Sequence, residues 1–123
     1  MRAGRIIPAV IDIDRSTEFT GDDVDRYSEL VDLGEDFSKA LLWIPALDAS
    51  GVVSLYVQRD SKVATVPVQM QAMDKDATGH FAHATSSGAG SIAVPFEIGG
   101  AQYLRIHVAA DQAADRTFYI RGC

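Results

Sequence analysis

The chain has 123 residues, 47% of them hydrophobic and 23% charged, with a formal net charge of −6. That length suits one domain with its own core and is short for two. The composition excludes a wholly disordered chain, and no apolar run approaches the ~20 residues that span a bilayer as a helix. Residues 1–60 carry 6 Lys/Arg against 12 Asp/Glu, and residues 61–123 carry 5 of each, so the acidic excess lies between Asp12 and Asp36 for the most part. Phosphate backbones need Lys/Arg to displace counterions, and no basic stripe is offered. Neither nucleic acid nor membrane is an expected partner. The apolar part of MRAGRIIPAVIDID is cut short by acids and makes a poor secretory signal. The single cysteine, Cys123, cannot form an internal disulfide, so nothing requires an oxidising compartment.

Short apolar runs separated by turn residues predict an all-β fold. The first strand is expected at residues 5–11. Residues 12–25 have little pattern and predict an extended arm or long loop, its acids either solvated or docked on a basic partner surface. Strands at 27–33 and 40–44 follow, then turn chemistry at Asp48-Ala49-Ser50-Gly51. A strand at 52–58 runs into a hairpin tip, Arg59-Asp60-Ser61-Lys62, and a further strand at 63–70. ATSSGAGS, residues 84–91, predicts a flexible loop. The last strands are expected at 92–98, 103–108 and 117–121. Pro8, Pro45, Pro67 and Pro95 fall in or beside these runs, which favours edges, ends and bulges because proline cannot donate to a ladder.

The final two runs can be aligned as a hairpin with Val108 opposite Arg116. Leu104, Ile106, Phe118 and Ile120 then share one apolar face, while Tyr103, Arg105, His107, Thr117, Tyr119 and Arg121 share the other. A two-residue turn at Gly99-Gly100 would set Phe96 and Val94 on that second, cationic face. Either that face is covered by a second layer or a partner, or the pairing is not a simple hairpin. A jelly-roll, whose sequential strands often lie in opposite sheets, removes the conflict. The expected fold is an antiparallel β-sandwich, jelly-roll-like, of about eight strands. Residues 1–26 form its N-terminal strand and acidic arm, and residues 27–123 the sandwich domain.

No chemistry-bearing motif emerges. His80 and His83 are two potential ligands where a zinc site needs about four. His107 reads as a cross-strand neighbour. Asp22, Asp23 and Asp25, like Asp12 and Asp14, lack the calcium-loop spacing and read as solvated acids. SSGAGS matches no phosphate-binding loop and no GxSxG elbow is present, although a triad assembled only in space leaves no local signature. Trp43, the one tryptophan, reads as a core residue within ALLWIP. No catalytic residue, cofactor or metal is assigned.

GGAQYLRIHVAADQAADRTFYIRGC resembles the C-terminal end of a class of small structural proteins of tailed bacteriophages. The matching pieces are Gly100-Ala101-Gln102, Tyr103-Leu104-Arg105-Ile106, the Ala110–Arg116 connector and Phe118-Tyr119-Ile120-Arg121-Gly122. LLWIPALDASGVVSLYVQRD is similar to the middle of the same class, so the resemblance covers residues 36–123. It implies a β-sandwich that is part of a virion and brings no active-site residues. A capsid decoration or cement protein is the expected role, bound to the major capsid protein or other virion proteins, as a homo-oligomer and with a trimer at a three-fold site. A head-tail connector or tail component is the alternative, and a carbohydrate-binding module using Trp43, Tyr56 or Tyr103 is an alternative of another class. Tyr103, Arg105, Tyr119 and Arg121 are the candidate contact residues, since Arg and Tyr are enriched at interfaces.

Overall fold

The structure, a computed structural model, describes residues 4–14, 19, 24–47, 52–70, 83–85 and 92–123. The expected turn at 48–51 and the residues SSGAGS lie outside them, as does His80. The strands are β1 (Ile7–Ile11), β2 (Val31–Ile44), β3 (Val52–Gln58), β4 (Val68–Gln69), β5 (His83–Thr85), β6 (Ile92–Val108) and β7 (Arg116–Gly122). A 3-10 turn at Val24–Arg26 precedes β2. All the strands join one sheet in the order β1-β7-β2-β6-β3-β4, with β5 also on β3, and every pairing is antiparallel. The all-β, antiparallel expectation therefore holds.

The strand count and two connections differ. The runs expected at 27–33 and 40–44 belong mainly to one long strand, β2, and those at 92–98 and 103–108 to another, β6. The glycines between them bend the strands without reversing them. Gly34, Gly99 and Gly100 have φ of 87°, 60° and 92°, a region costly for side chains with a Cβ. At Gly99-Gly100 the chain stays paired to β2 on both sides, Glu97 with Lys39 before the bend and Ala101 with Phe37 after it. β2 occupies the edge that a hairpin would have needed. The run at 63–70 keeps only Val68–Gln69 as strand.

The C-terminal hairpin is also corrected. The 103–108 portion of β6 pairs with β3, setting Ile106 against Leu55, while β7 pairs with β1 and β2, setting Phe118 against Ala9 and Ile120 against Leu42. The connector has acids that hold it elsewhere: Ile13 N donates to Asp115 Oδ1 at 3.1 Å, and Arg26 Nε donates to Asp111 Oδ1 at 2.9 Å. The alternation survives the change of partner. Leu104, Ile106, Val108, Phe118 and Ile120 are all fully buried, because a strand presents alternate residues to a core whichever neighbour it takes.

The sheet curls around that core. Ile11 of β1 bridges to Ser28, and the adjacent Tyr27 bridges to His107 of β6. One dipeptide thus joins two strands that lie three places apart in the sheet. Ser28 is buried and acts as a strand residue would: its N donates to Ile106 O (2.8 Å), and its Oγ accepts from Ile106 N (2.9 Å). Next to it, both carboxylate oxygens of Glu29 accept the Val10 N–H, at 3.0 and 3.1 Å. This blunts the outer edge of β1 against stray pairing. Pro95 lies in the part of β6 paired only with β2, as the edge rule requires.

Phe37, at the register shift in β2, closes one end of the core. Its ring lies where a Cβ on Gly122 would fall, and 3.1 Å from one on Gly4. Gly122→Ala is expected to destabilise the protein by about 1–3 kcal/mol through overpacking, and adding Phe37→Leu should recover part of that loss. Urea denaturation of the two variants checks this. Equal stability of Gly122→Ala and the parent would show that the ring moves aside freely.

Candidate interaction surfaces

Alternation gives the β1-β7-β2-β6 half of the sheet an outward row of large, weakly polar side chains. Register places Pro8 opposite Tyr119, Tyr119 opposite Trp43, and Trp43 opposite Ala93. The next row runs Arg121, Leu41, Pro95. Beyond it Lys39 Nζ and Glu97 Oε1 form an exposed ion pair at 3.6 Å. Tyr119 is 46% exposed, Pro8, Ala93 and Pro95 are exposed, and Trp43 and Leu41 are half-buried. Arg121 Nε donates to Gly4 O at 2.7 Å, tying the approach to β1 onto this face. The core assignment of Trp43 is therefore corrected: Leu42 and Ile44 on either side are fully buried, so Trp43 between them points outward. Strict alternation through LLWIP carried that signal.

The other half of the sheet covers its outer face with its own chain. Arg105 is fully buried beside core residues that are wholly apolar. Its Nε donates to Gln58 Oε1 (2.7 Å), its Nη1 to Ser28 O (3.0 Å) and its Nη2 to Val63 O (3.0 Å). Its guanidinium carbon lies 5.0 Å from the centre of the Phe19 ring, a cation–π arrangement. Tyr27 packs edge-on to Tyr56 and Phe19, with centroids at 5.0 and 5.1 Å, and His107 lies 4.6 Å from Tyr27 and 5.0 Å from Tyr56. His107 is thus a cross-strand neighbour, but of Ser54 in β3 and not of Thr117.

The four expected contact residues consequently separate. Tyr119 and Arg121 share the outward row beside Trp43. Tyr103, half-buried, lies between Asp32 and Gln58 in the other half. Arg105 is enclosed and presents no surface. They separate because β6 and β7 never pair. The enclosure of Arg105 left one trace in the sequence, the nearby polar residues Gln58 and Ser28 at strand positions, but nothing marked their convergence. Of the acids, Asp25 sits in the 3-10 turn, and Asp22 and Asp23 lie outside the described residues. Among the described residues no group of three or more His, Cys, Asp or Glu is placed to hold a metal ion.

Two carboxylates hold backbone bends, Asp60 in the loop after β3 and Asp32 within β2. The Asp60 carboxyl is held below its ordinary value, first by the Thr65 hydroxyl (2.8 Å) and then by the Lys62 N–H (3.0 Å). Asp32 is lowered first by the Gln102 side chain (3.0 Å), then by the Gly34 N–H (2.8 Å), with the charge of Arg5 adding to both. No protein-family model, curated protein or solved structure matches the chain.

Arg105→Met keeps most of the volume but leaves Gln58 and two carbonyls without these donors. It should cost about 2–4 kcal/mol in urea denaturation, within the range for unsatisfied buried polar groups. A cost under about 0.5 kcal/mol would mean that water replaces the guanidinium without penalty. A second expectation concerns acid. Asp32 and Asp60 have depressed folded values, so their contribution is complete above the ordinary value of 3.8 and is lost as pH falls through the lower folded values. Denaturation midpoints should fall as pH drops below that ordinary value, and less steeply in Asp60→Asn. Parallel curves for parent and variant would remove Asp60 from the account.

Proposed function

We propose that this chain is a non-enzymatic virion structural protein, a capsid decoration or cement protein that adheres through the outward face of β1, β7, β2 and β6. The observation that carries the adhesive role is the row Pro8, Tyr119, Trp43 and Ala93 with Leu41, Pro95 and Arg121 beside it. A sheet face with Trp, Tyr and Arg but little charge has the composition of an interface centre. In a chain of net charge −6 such a face is where self-repulsion is least. The virion setting rests on the resemblance of residues 36–123 to small phage structural proteins.

In this proposal the curled sheet is a jelly-roll-like β-sandwich, with β1, β7 and the flanking parts of β2 and β6 on one side and β3, β4 and the rest of β6 on the other. The partner is the major capsid protein or another virion protein, and the protein assembles as a homo-oligomer, a trimer at a three-fold site. Quantitative mass spectrometry of purified particles tests this. A copy number in fixed, large proportion to the shell protein supports decoration, a few per cent moves the protein to the connector or tail, and absence from particles removes the virion reading.

Tyr119→Ala should leave stability within about 0.5 kcal/mol, because the side chain is 46% exposed. It should weaken particle binding at least ~5-fold, as expected of an interface hot spot. Unchanged binding by a Tyr119→Ala, Leu41→Ser protein that still folds would place the contact elsewhere. The pairing of Trp43 with Tyr119 also favours a second reading, a carbohydrate-binding module with an aromatic platform. Quenching of Trp43 fluorescence by oligosaccharides, with no particle association, would select it.

A further inference from the structure

A second apolar surface lies away from the outward row. A cavity of about 610 Å3 opens between the segment from Thr65 to Met70 and the glycine bend of β6. Ligand clefts commonly fall within about 300–1,000 Å3. Its floor is made by Val57, Met70, Ile98 and Ala101, which belong to the core or pack against it. Its wall carries Val66 and Val68, which are 53% and 65% exposed. These side chains are aliphatic, and among the described residues no aromatic ring lines the cavity. Such a lining suits a flexible alkyl chain, since it offers no flat ring on which a planar ligand could stack.

The polar groups at the mouth are mostly engaged within the protein. Gln58 accepts from Arg105 and donates to Lys62 O, and Thr65 donates to Asp60. Among the described residues Arg59 is the one charged lining residue, and it is exposed. The exposed Lys62 adds a second positive charge on the same loop, while Asp60 between them accepts from Thr65 and from the Lys62 N–H. Arg59 and Lys62 outnumber Asp60, so the loop at the mouth is net positive, and a guanidinium binds a carboxylate through two parallel hydrogen bonds.

We propose that this groove is a binding site for a small free aliphatic carboxylate, its alkyl chain over Val57, Val68, Met70 and Ile98 and its head group on Arg59. The full chain is titrated with octanoate and decanoate below their micelle concentrations, with decyltrimethylammonium as the cationic control. Calorimetry and methyl-resolved NMR are the readouts. The expected result is saturable binding that shifts the Val68, Met70 and Ile98 methyl signals. Affinity should rise about fourfold per added methylene, and the cation should bind at least about tenfold more weakly. Arg59→Glu and Val68→Glu alter exposed side chains, so both should fold, and each should lose about tenfold in decanoate affinity. Absence of saturable shifts at millimolar decanoate overturns the proposal. So does equal affinity for decanoate and the cation, which would mark a non-specific apolar contact, or an Arg59→Glu protein that binds decanoate as tightly as the parent.

Discussion

The buried guanidinium of Arg105, on β6, ties together the end of β3, the lead-in to β2 and the loop at Val63. Its three nitrogens reach the carbonyl before β2, the last side chain of β3 and the carbonyl of Val63 in the following loop. A charge in that position costs several kcal/mol to desolvate unless its donors are met, so the surrounding chain is constrained to bring acceptors to it. The result is a polar knot on the outer side of a sheet whose inner side is apolar. The knot holds the lead-in to β2 against β6, where Ser28 can complete the ladder at Ile106. It also holds the loop that walls the groove.

The two apolar surfaces follow from this division. Where the chain covers its own sheet, around Arg105, Tyr56 and His107, little is left to offer a partner. Where it does not, across β1, β7 and β2, the alternation that fills the core leaves Tyr119, Trp43 and Leu41 facing out. The groove arises differently, from the end of the core itself, where β4 is only two residues long and does not extend over Ile98. The two surfaces proposed for adhesion and for ligand binding use separate residues.

Much of this was legible in the residues. The period-2 pattern set out the all-β class, the inward set of 104, 106, 118 and 120, and the span of β3. Pairing partners were not legible, because one inward face can be satisfied by any neighbour with the same alternation. Gly99-Gly100 carried the chemistry of a turn, and only the presence of β2 alongside decides that the strand bends there and continues. Trp43 was misplaced by its apolar company, although its parity against Leu42 and Ile44 pointed outward. Arg105 was misplaced by its charge, since its acceptors come from residues 42 to 77 positions away.

The bends at Gly34 and at Gly99-Gly100 belong to two strands that pair with each other, so together they form a crease across the sheet. Asp32 spans it, accepting from the Gly34 N–H on its own strand and from Gln102 on the other. Flexing of the sheet concentrates along such a line, where ladder bonds are interrupted and the backbone is least stiff. One wall of the groove is the crease itself, at Gly99, Gly100 and Ala101. The residues that bend the sheet are thus also residues that shape the groove, and Asp32 ties the two strands together beside them.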